Sequence, residues 1–221
     1  MSTSPDPDAA DEVGPGEDVL ATFEASLRRL DVDVTRTAPS TLRDDLAAVA
    51  TEPAVGARLP FPGASLPDWV RTDPTPDALE AARTGVSPAR LAVADYGSVA
   101  LPATPDGAEP VSLFPPLHVP VVRAADVVPG MPEAFAELGP AIRADRGSVV
   151  LATGPSATAD MGALVRGAHG PREVHVLLLH ADDGGDGGTG EGTPASGRAR
   201  VRADEPESPG AEAGAGAGDA R

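Results

Sequence analysis

Residues 148 to 179 restrict the fold more than any other stretch of this sequence. Ser148 to Thr153 is a run of apolar and β-branched residues, and Gly154-Pro155-Ser156 supplies turn chemistry after it. Met161, Leu164 and Val165 then recur at helical spacing within Thr158 to Arg166, and Glu173 to Leu179 reads as a final strand. A strand, a helix and a strand packed into about 30 residues read as a βαβ unit. At least part of the sheet is then parallel and the class is α/β.

The residues before this unit alternate in the same way. Asp18 to Leu30 places Val19, Phe23, Leu27 and Leu30 at helical spacing, and Val32 to Thr35 is a short β-branched run. Ser40 or Thr41 can cap a second helix through Val49, built on Leu42, Leu46 and Val49. Residues 51 to 76, which hold Trp69, are broken by prolines. Asp77 to Arg83 reads as a short helix ended by Thr84-Gly85, Leu91 to Leu101 and Val111 to Val122 as strands, and Pro132 to Ala144 as a helix with Phe135, Leu138 and Ile142 on one face. The expected body is one domain with a mainly parallel sheet flanked by helices.

Both ends depart from this pattern. Residues 1 to 17 hold Asp6, Asp8, Asp11, Glu12 and Glu17 and no cation. Residues 181 to 221 combine nine acids with four Arg and eleven Gly, and none of their apolar side chains is larger than Val. Neither segment offers enough apolar surface to offset the entropy of ordering it, so both are expected to be disordered tails around a domain at 18 to 180. Gly185-Asp186-Gly187-Gly188-Thr189-Gly190 fits a dinucleotide-binding G-x-G-x-x-G, but Glu191-Gly192-Thr193-Pro194 follows where a helix is required, so it reads as tail.

The chain of 221 residues carries a formal charge of -17, and every one of its 17 cations is arginine. Such a field repels phosphate backbones and acidic lipid surfaces, so neither nucleic acid nor membrane is an expected partner. No apolar run approaches the roughly 20 residues of a membrane span. The acidic, Pro-rich start shows no signal peptide, and a cytoplasmic location is expected. Excess carboxylate without lysine suits a protein kept soluble in concentrated salt, as in a halophilic archaeon. Cysteine is absent, which removes disulfides, thiolate nucleophiles and thiolate-held zinc or iron-sulfur clusters from this chain.

Three places attract chemistry. A strand that ends in Gly154-Pro155-Ser156 and enters a helix aims free N–H groups at the carboxyl edge of a parallel sheet, where an anion can sit. Equally, Ser156 or Thr158 can simply cap that helix while Asp160 offsets its dipole. Asp95 shares the parity of Leu91, Val93, Val99 and Leu101, which on a continuous strand buries a carboxylate and raises its pKa as a general acid or base requires. A turn at Tyr96-Gly97 would instead swing it outward. Of the four histidines, His118 follows Pro115-Pro116 and His169 lies in Gly-Ala-His-Gly-Pro, both on irregular backbone where functional side chains tend to lie, whereas His175 and His180 read as surface or hydrogen-bonded imidazoles. No metal-ligand spacing occurs, so no metal site is expected.

Four segments carry a resemblance. Leu91-Ala-Val-Ala-Asp95-Tyr-Gly97-Ser98-Val-Ala-Leu101, Ser112-Leu-Phe-Pro-Pro116-Leu-His118-Val, Thr153-Gly-Pro-Ser156-Ala-Thr-Ala-Asp160 and Gly167-Ala-His169-Gly170-Pro171-Arg-Glu-Val-His-Val-Leu-Leu together resemble the LUD domain of the LutC/YkgG family of lactate utilisation proteins. The resemblance implies a fold like the NagB/RpiA/CoA-transferase-like α/β domains. It implies a subunit that works beside LutA-like and LutB-like iron-sulfur proteins in oxidising L-lactate to pyruvate, with the clusters on those partners and no cofactor on this chain. Asp95, His118 and His169 become the candidate catalytic residues. Gly97, Ser98, Gly154, Pro155, Ser156, Thr158, Asp160 and Gly170 become candidate ligands for a small carboxylate. The alternative is a non-catalytic module of the same fold that binds a small anion or a nucleotide-like ligand. Two departures stand out, Asp95-Tyr96-Gly97-Ser98 where the family usually has Glu-Thr-Gly-Thr, and Ala157 where it usually has Arg.

Overall fold

The computed structural model describes residues 15–104, 107–145, 147–160 and 163–182; the Gly-rich segment at 185–190 and both expected tails beyond these bounds lie outside the described residues. The chain opens with helix α1 (Pro15–Arg29) and strand β1 (Asp33–Thr37). The helix stops because Asp31 adopts φ 59, which lets Val32 N–H bond back to the Leu27 carbonyl at 3.0 Å. Helix α2 (Leu42–Val49) follows, then β2 (Ala54–Gly56), β3 (Val70–Arg71) and α3 (Pro76–Ala81). Thr41 precedes α2 as expected, but its hydroxyl makes no cap bond to the helix N–H groups and instead reaches Asp45 at 2.9 Å.

Strand β4 (Thr84–Pro88) is buried throughout, so Thr84 and Gly85 open a central strand rather than end a helix. The expected strand over Leu91 to Leu101 is two, β5 (Leu91–Val93) and β6 (Ser98–Pro102), paired antiparallel around a turn in which Gly97 takes φ 66. The expected strand over Val111 to Val122 is a helix, α4 (Ala108–Leu113), and then β7 (Leu117–Arg123). Next come β8 (Val127–Val128), α5 (Met131–Asp145) and β9 (Val149–Thr153). Phe135 points away from the α5 core face and is 59% exposed, while Ala134 and Leu138 are buried there.

The expected helix over Thr158 to Arg166 is not formed. Its place is taken by β10 (Ala157–Asp160) and β11 (Ala163–Arg166), an antiparallel pair, before β12 (Glu173–Leu179) closes the described fold. Gly162 in the middle of the window weakens any helix, and the β-branched Thr158 and Val165 suit the cross-strand pair they form. Residues 148 to 179 are therefore no βαβ unit. The parallel sheet they suggested exists all the same, assembled from other strands.

That sheet has six strands in the order β1-β12-β7-β4-β2-β3, and every adjacent pair is parallel. The second half of β12, Val176 to Leu179, is buried on both faces, which explains that unbroken apolar stretch. Val176 and Leu178 meet α1 and the four-stranded sheet β8-β5-β6-β9 through Phe23, Leu27, Ala92, Val99 and Leu101. Leu177 and Leu179 face the other way, toward Leu42 and Leu46 of α2. The outer face of the four-stranded sheet is covered by α5. Pro120 lies within the central strand β7, and the β7–β12 pairing skips from His118–Val174 to Val121–Leu177 around it, because proline has no N–H to give the ladder. Among the described residues no helix is long and apolar enough to cross a membrane.

Candidate functional site

The cavity that gathers the expected residues lies where the two sheets and α1 meet. It has a volume of about 350 Å³ and is bounded by the amino ends of β7 and β12, by the segment leaving β9, and by α1 and α4. It sits at the opposite end of the parallel strands from the carboxyl edge, where the sequence pattern had placed a ligand.

Local rules explain how each wall arrives. Gly97 and Gly154 both adopt positive φ, and both lie beneath Leu30: a Cβ on Gly97 would sit 2.9 Å from Leu30 Cδ1, and one on Gly154 would sit 3.2 Å from Leu30 Cβ. The two glycines thus seat the end of α1, whose Leu27 lines the cavity. Gly85 does the same for α4, since a Cβ there would run into the Val111 carbonyl oxygen; this close approach brings Ser112 and Leu113 to the wall. The segment 153–157 is held against 167–171 by backbone bonds, Ser156 N–H to the Pro171 carbonyl at 2.8 Å and Gly167 N–H to the Ser156 carbonyl at 2.9 Å. Arg166 of β11 reaches Asp31 at 2.9 Å, tying the hairpin to the end of α1. Both partners of that pair are well exposed, so it contributes little energy.

Seven of the expected site residues meet at this cavity: Gly97, His118, Gly154, Pro155, Ser156, His169 and Gly170. They come from the four separate segments that carry the family resemblance. The anion site proposed for Gly154-Pro155-Ser156 loses its basis, because no helix follows and the Ser156 N–H is already spent on Pro171. Thr158 lies within β10, so it caps no helix; Asp160 ends the same strand, and its side chain lies outside the described residues. Asp95 is exposed on the β5–β6 turn rather than buried on a strand, and its carbonyl accepts bonds from Ser26 Oγ and Arg29 Nη2, each at 3.2 Å. Ser98 is buried one step behind the wall, where its hydroxyl meets that of Thr153 at 2.7 Å.

The wall is about half apolar, with Val99, Val150, Ala152, Val174 and Val176 contributing, and no arginine or carboxylate lines the cavity among the described residues. Hydroxyls come from Ser112, Thr153 and Ser156, and His169 is exposed at the rim. Two polar wall residues are buried: Ser112, whose hydroxyl donates to the Glu109 carbonyl at 2.7 Å, and His118, 1% exposed in β7, with Nε2 2.9 Å from the Ser87 hydroxyl on the neighbouring strand β4. Ser87 was not anticipated. The signal was a single hydroxyl inside the apolar run from Val86, a pattern too common to single out.

Burial pushes the His118 imidazole down to about 3 from its ordinary value of 6.5, so the ring is neutral near pH 7. Between those two values the unfolded chain takes up a proton that the folded chain refuses. The resulting stability is complete above about pH 6.5 and is lost as the pH falls toward about 3, at about 1.4 kcal/mol per pH unit. Urea unfolding of His118→Gln across pH 4 to 8 should show an acid limb shallower than wild type by that slope, and parallel limbs would contradict the assignment. His175 also titrates low, through burial opposed by the nearby Asp33, and its Nε2 meets Thr35 Oγ1 at 2.8 Å, the bonded imidazole expected of it. His180 differs from expectation in that its buried Nε2 has no hydrogen-bond partner among the described residues. Among the described residues no group of three or more His, Asp or Glu side chains is placed to hold a metal ion.

Comparisons with known proteins agree with this architecture. Residues 70–179 match the LUD domain family. "Lactate utilization protein C" of Geobacillus thermodenitrificans is 30% identical over 109 residues, 47% of this chain and 45% of that protein. The protein of the same name from Deinococcus radiodurans is 31% identical over 105 residues, 47% of this chain and 48% of its own length. The aligned region thus spans about half the length of either relative. A crystal structure of a DUF162 family protein from Deinococcus radiodurans superposes with a TM-score of 0.57 at 19% identity, covering 74% of this chain and 98% of that one. That likeness establishes a shared fold.

Proposed function

We propose that this chain, a member of the LUD domain family through residues 70–179, serves in lactate utilisation as the subunit that binds the small carboxylate while partners carry the electrons. The convergence of its four distant family-like segments on one cavity is the observation that supports this reading. Turning L-lactate into pyruvate releases two protons and two electrons. The chain has no cysteine, so iron-sulfur clusters with thiolate ligands would sit on LutA-like and LutB-like partners, which take the electrons. His169, exposed at the rim, is the group to accept the hydroxyl proton, and the proton from the Cα–H bond passes to a base on the partner that takes the two electrons. A 350 Å³ cavity matches the lower end of small-molecule sites, a size that suits a three-carbon acid better than a nucleotide.

Reconstitution tests the proposal. The chain mixed with its iron-sulfur partners, L-lactate and an artificial electron acceptor should oxidise lactate, and His169→Gln should lower the rate by about 10²-fold or more if it takes the proton. Equal activity without the chain would refute the role. A second reading, binding without chemistry, is favoured by the neutral and hydrogen-bonded state of His118. It predicts tight pyruvate or lactate binding by calorimetry together with unchanged turnover in His169→Gln.

The acidic, lysine-free composition further supports a saline working environment. Far-UV circular dichroism should then report more structure in molar salt than in dilute buffer, and identical spectra would contradict it.

A further inference from the structure

The Ser87 and His118 pair admits two hydrogen-bond directions, and only one leaves every polar hydrogen within reach of an acceptor or of the cavity. Ser87 is wholly buried, and its hydroxyl has His118 Nε2 as its one partner among the described residues. If Nε2 carried the proton and donated to Ser87 Oγ, the serine O–H would point into the protein with no acceptor. An orphaned buried donor costs about 1–3 kcal/mol. If Ser87 donates instead, its hydrogen is satisfied, Nε2 acts as acceptor, and the neutral ring must carry its proton on Nδ1. Burial keeps the ring from taking a second proton near neutral pH. Nδ1 has no partner among the described residues, on a side chain that is 1% exposed and lines the cavity. Among the described residues only His180 Nε2 is fully buried without a partner, so Nδ1 of His118 reaches the cavity, where its N–H meets water or an oxygen of a bound molecule.

We propose that Ser87 is a positioning residue that locks His118 in the Nδ1–H form, so that His118 presents a donor to a carbonyl or carboxylate oxygen of the bound molecule. The inference deepens the reading of the cavity as a small-carboxylate site and rests on it for the identity of the ligand. Its consequence for chemistry is a division of labour. The nitrogen that His118 shows to the cavity already holds a hydrogen, so His118 cannot take the hydroxyl proton of lactate. It polarises or orients an oxygen, and His169 is left as the imidazole able to act as base. The cavity also gains a preference, since a ligand must bring an acceptor atom to the buried end and an apolar part to the valine walls.

Nitrogen-15 spectra of the full chain at pH 7 decide the first half without any substitution. The His118 ring should show a protonated Nδ1 and an unprotonated Nε2, and the reverse pattern overturns the proposal. Titration with pyruvate and L-lactate decides the second half, because binding of either should move the Nδ1–H resonance. Binding detected by calorimetry with that resonance unmoved, or no movement with either acid, overturns the donor role. Ser87→Ala should weaken pyruvate binding about tenfold and release the ring into a mixture of tautomers, while Ser87→Thr, which keeps the hydroxyl, should restore the Nδ1–H form. The two ideas fail separately. Lactate oxidation by the reconstituted set with an unmoved Nδ1–H would remove this inference alone, and a shifted Nδ1–H in a set that oxidises no lactate would remove the redox role alone.

Discussion

Gly85→Ala is expected to lower the unfolding free energy by about 3 kcal/mol or more, the upper range for forcing atoms into a packed interior. The added methyl would occupy the space of the Val111 carbonyl oxygen and come within 3.0 Å of Pro115 Cγ. Neither neighbour is the free end of a flexible side chain, so relief requires α4 to lift from the sheet as a body. At about 2–4 °C of Tm per kcal/mol for a chain of this length, melting should fall by about 6–12 °C. The lifted helix also takes Ser112 and Leu113 away from the cavity, so pyruvate affinity should fall with stability. Thermal and urea unfolding followed by circular dichroism check the first claim. A variant within 0.5 kcal/mol of wild type would show that α4 does not rest on β4 as described.

Phe23→Ala should cost a comparable about 3–5 kcal/mol, by the opposite mechanism of an emptied space. Phe23 is fully buried at the point where α1, the four-stranded sheet and the six-stranded sheet share one core. Its removal strips contacts from Val99, Leu101, Val176 and Leu178 together, and those residues belong to strands that cannot close the gap without shifting register. The helix that loses its anchor is the same one that brings Leu27 to the cavity, so hydrogen exchange in α1 should accelerate more than in β12. Equal acceleration in both would mean that α1 and the sheets open only as one unit.

Segments whose burial is decided locally were legible in the sequence. α1 and β12 match the reading to within a few residues, β12 at both ends, because a one-faced helical stripe and a strand that ends in the apolar run Val176 to Leu179 each have a single good solution. Residues 157–166 misled because Met161, Leu164 and Val165 fit a helix by spacing, whereas the strand pairing that won depends on how 153–157 and 167–171 are tied together. The turn at Asp95 to Gly97 was one of two open readings, and it prevailed because Gly97 needs both a positive φ and room beneath Leu30. The site followed the same division. Gly97, Gly154, Pro155 and Gly170 announce themselves by turn chemistry and His169 by its loop, whereas His118, expected on irregular backbone, lies inside strand β7, because the chain turns extended directly after Pro115-Pro116. Ser87 has no local signature, since its importance comes from a partner 31 residues away on the next strand.

The course of β12 sets where the molecule can be handled. Its first residues border the cavity, and its last lead to Asp182, which is clasped by the Ser40 hydroxyl at 2.5 Å. Seven extended residues separate the two points by about 20 Å along one straight strand. A fluorophore or surface linker attached at position 182 would therefore stand at the far end of the sheet from the cavity mouth, leaving ligand entry clear in a sensor or an immobilised-binding format.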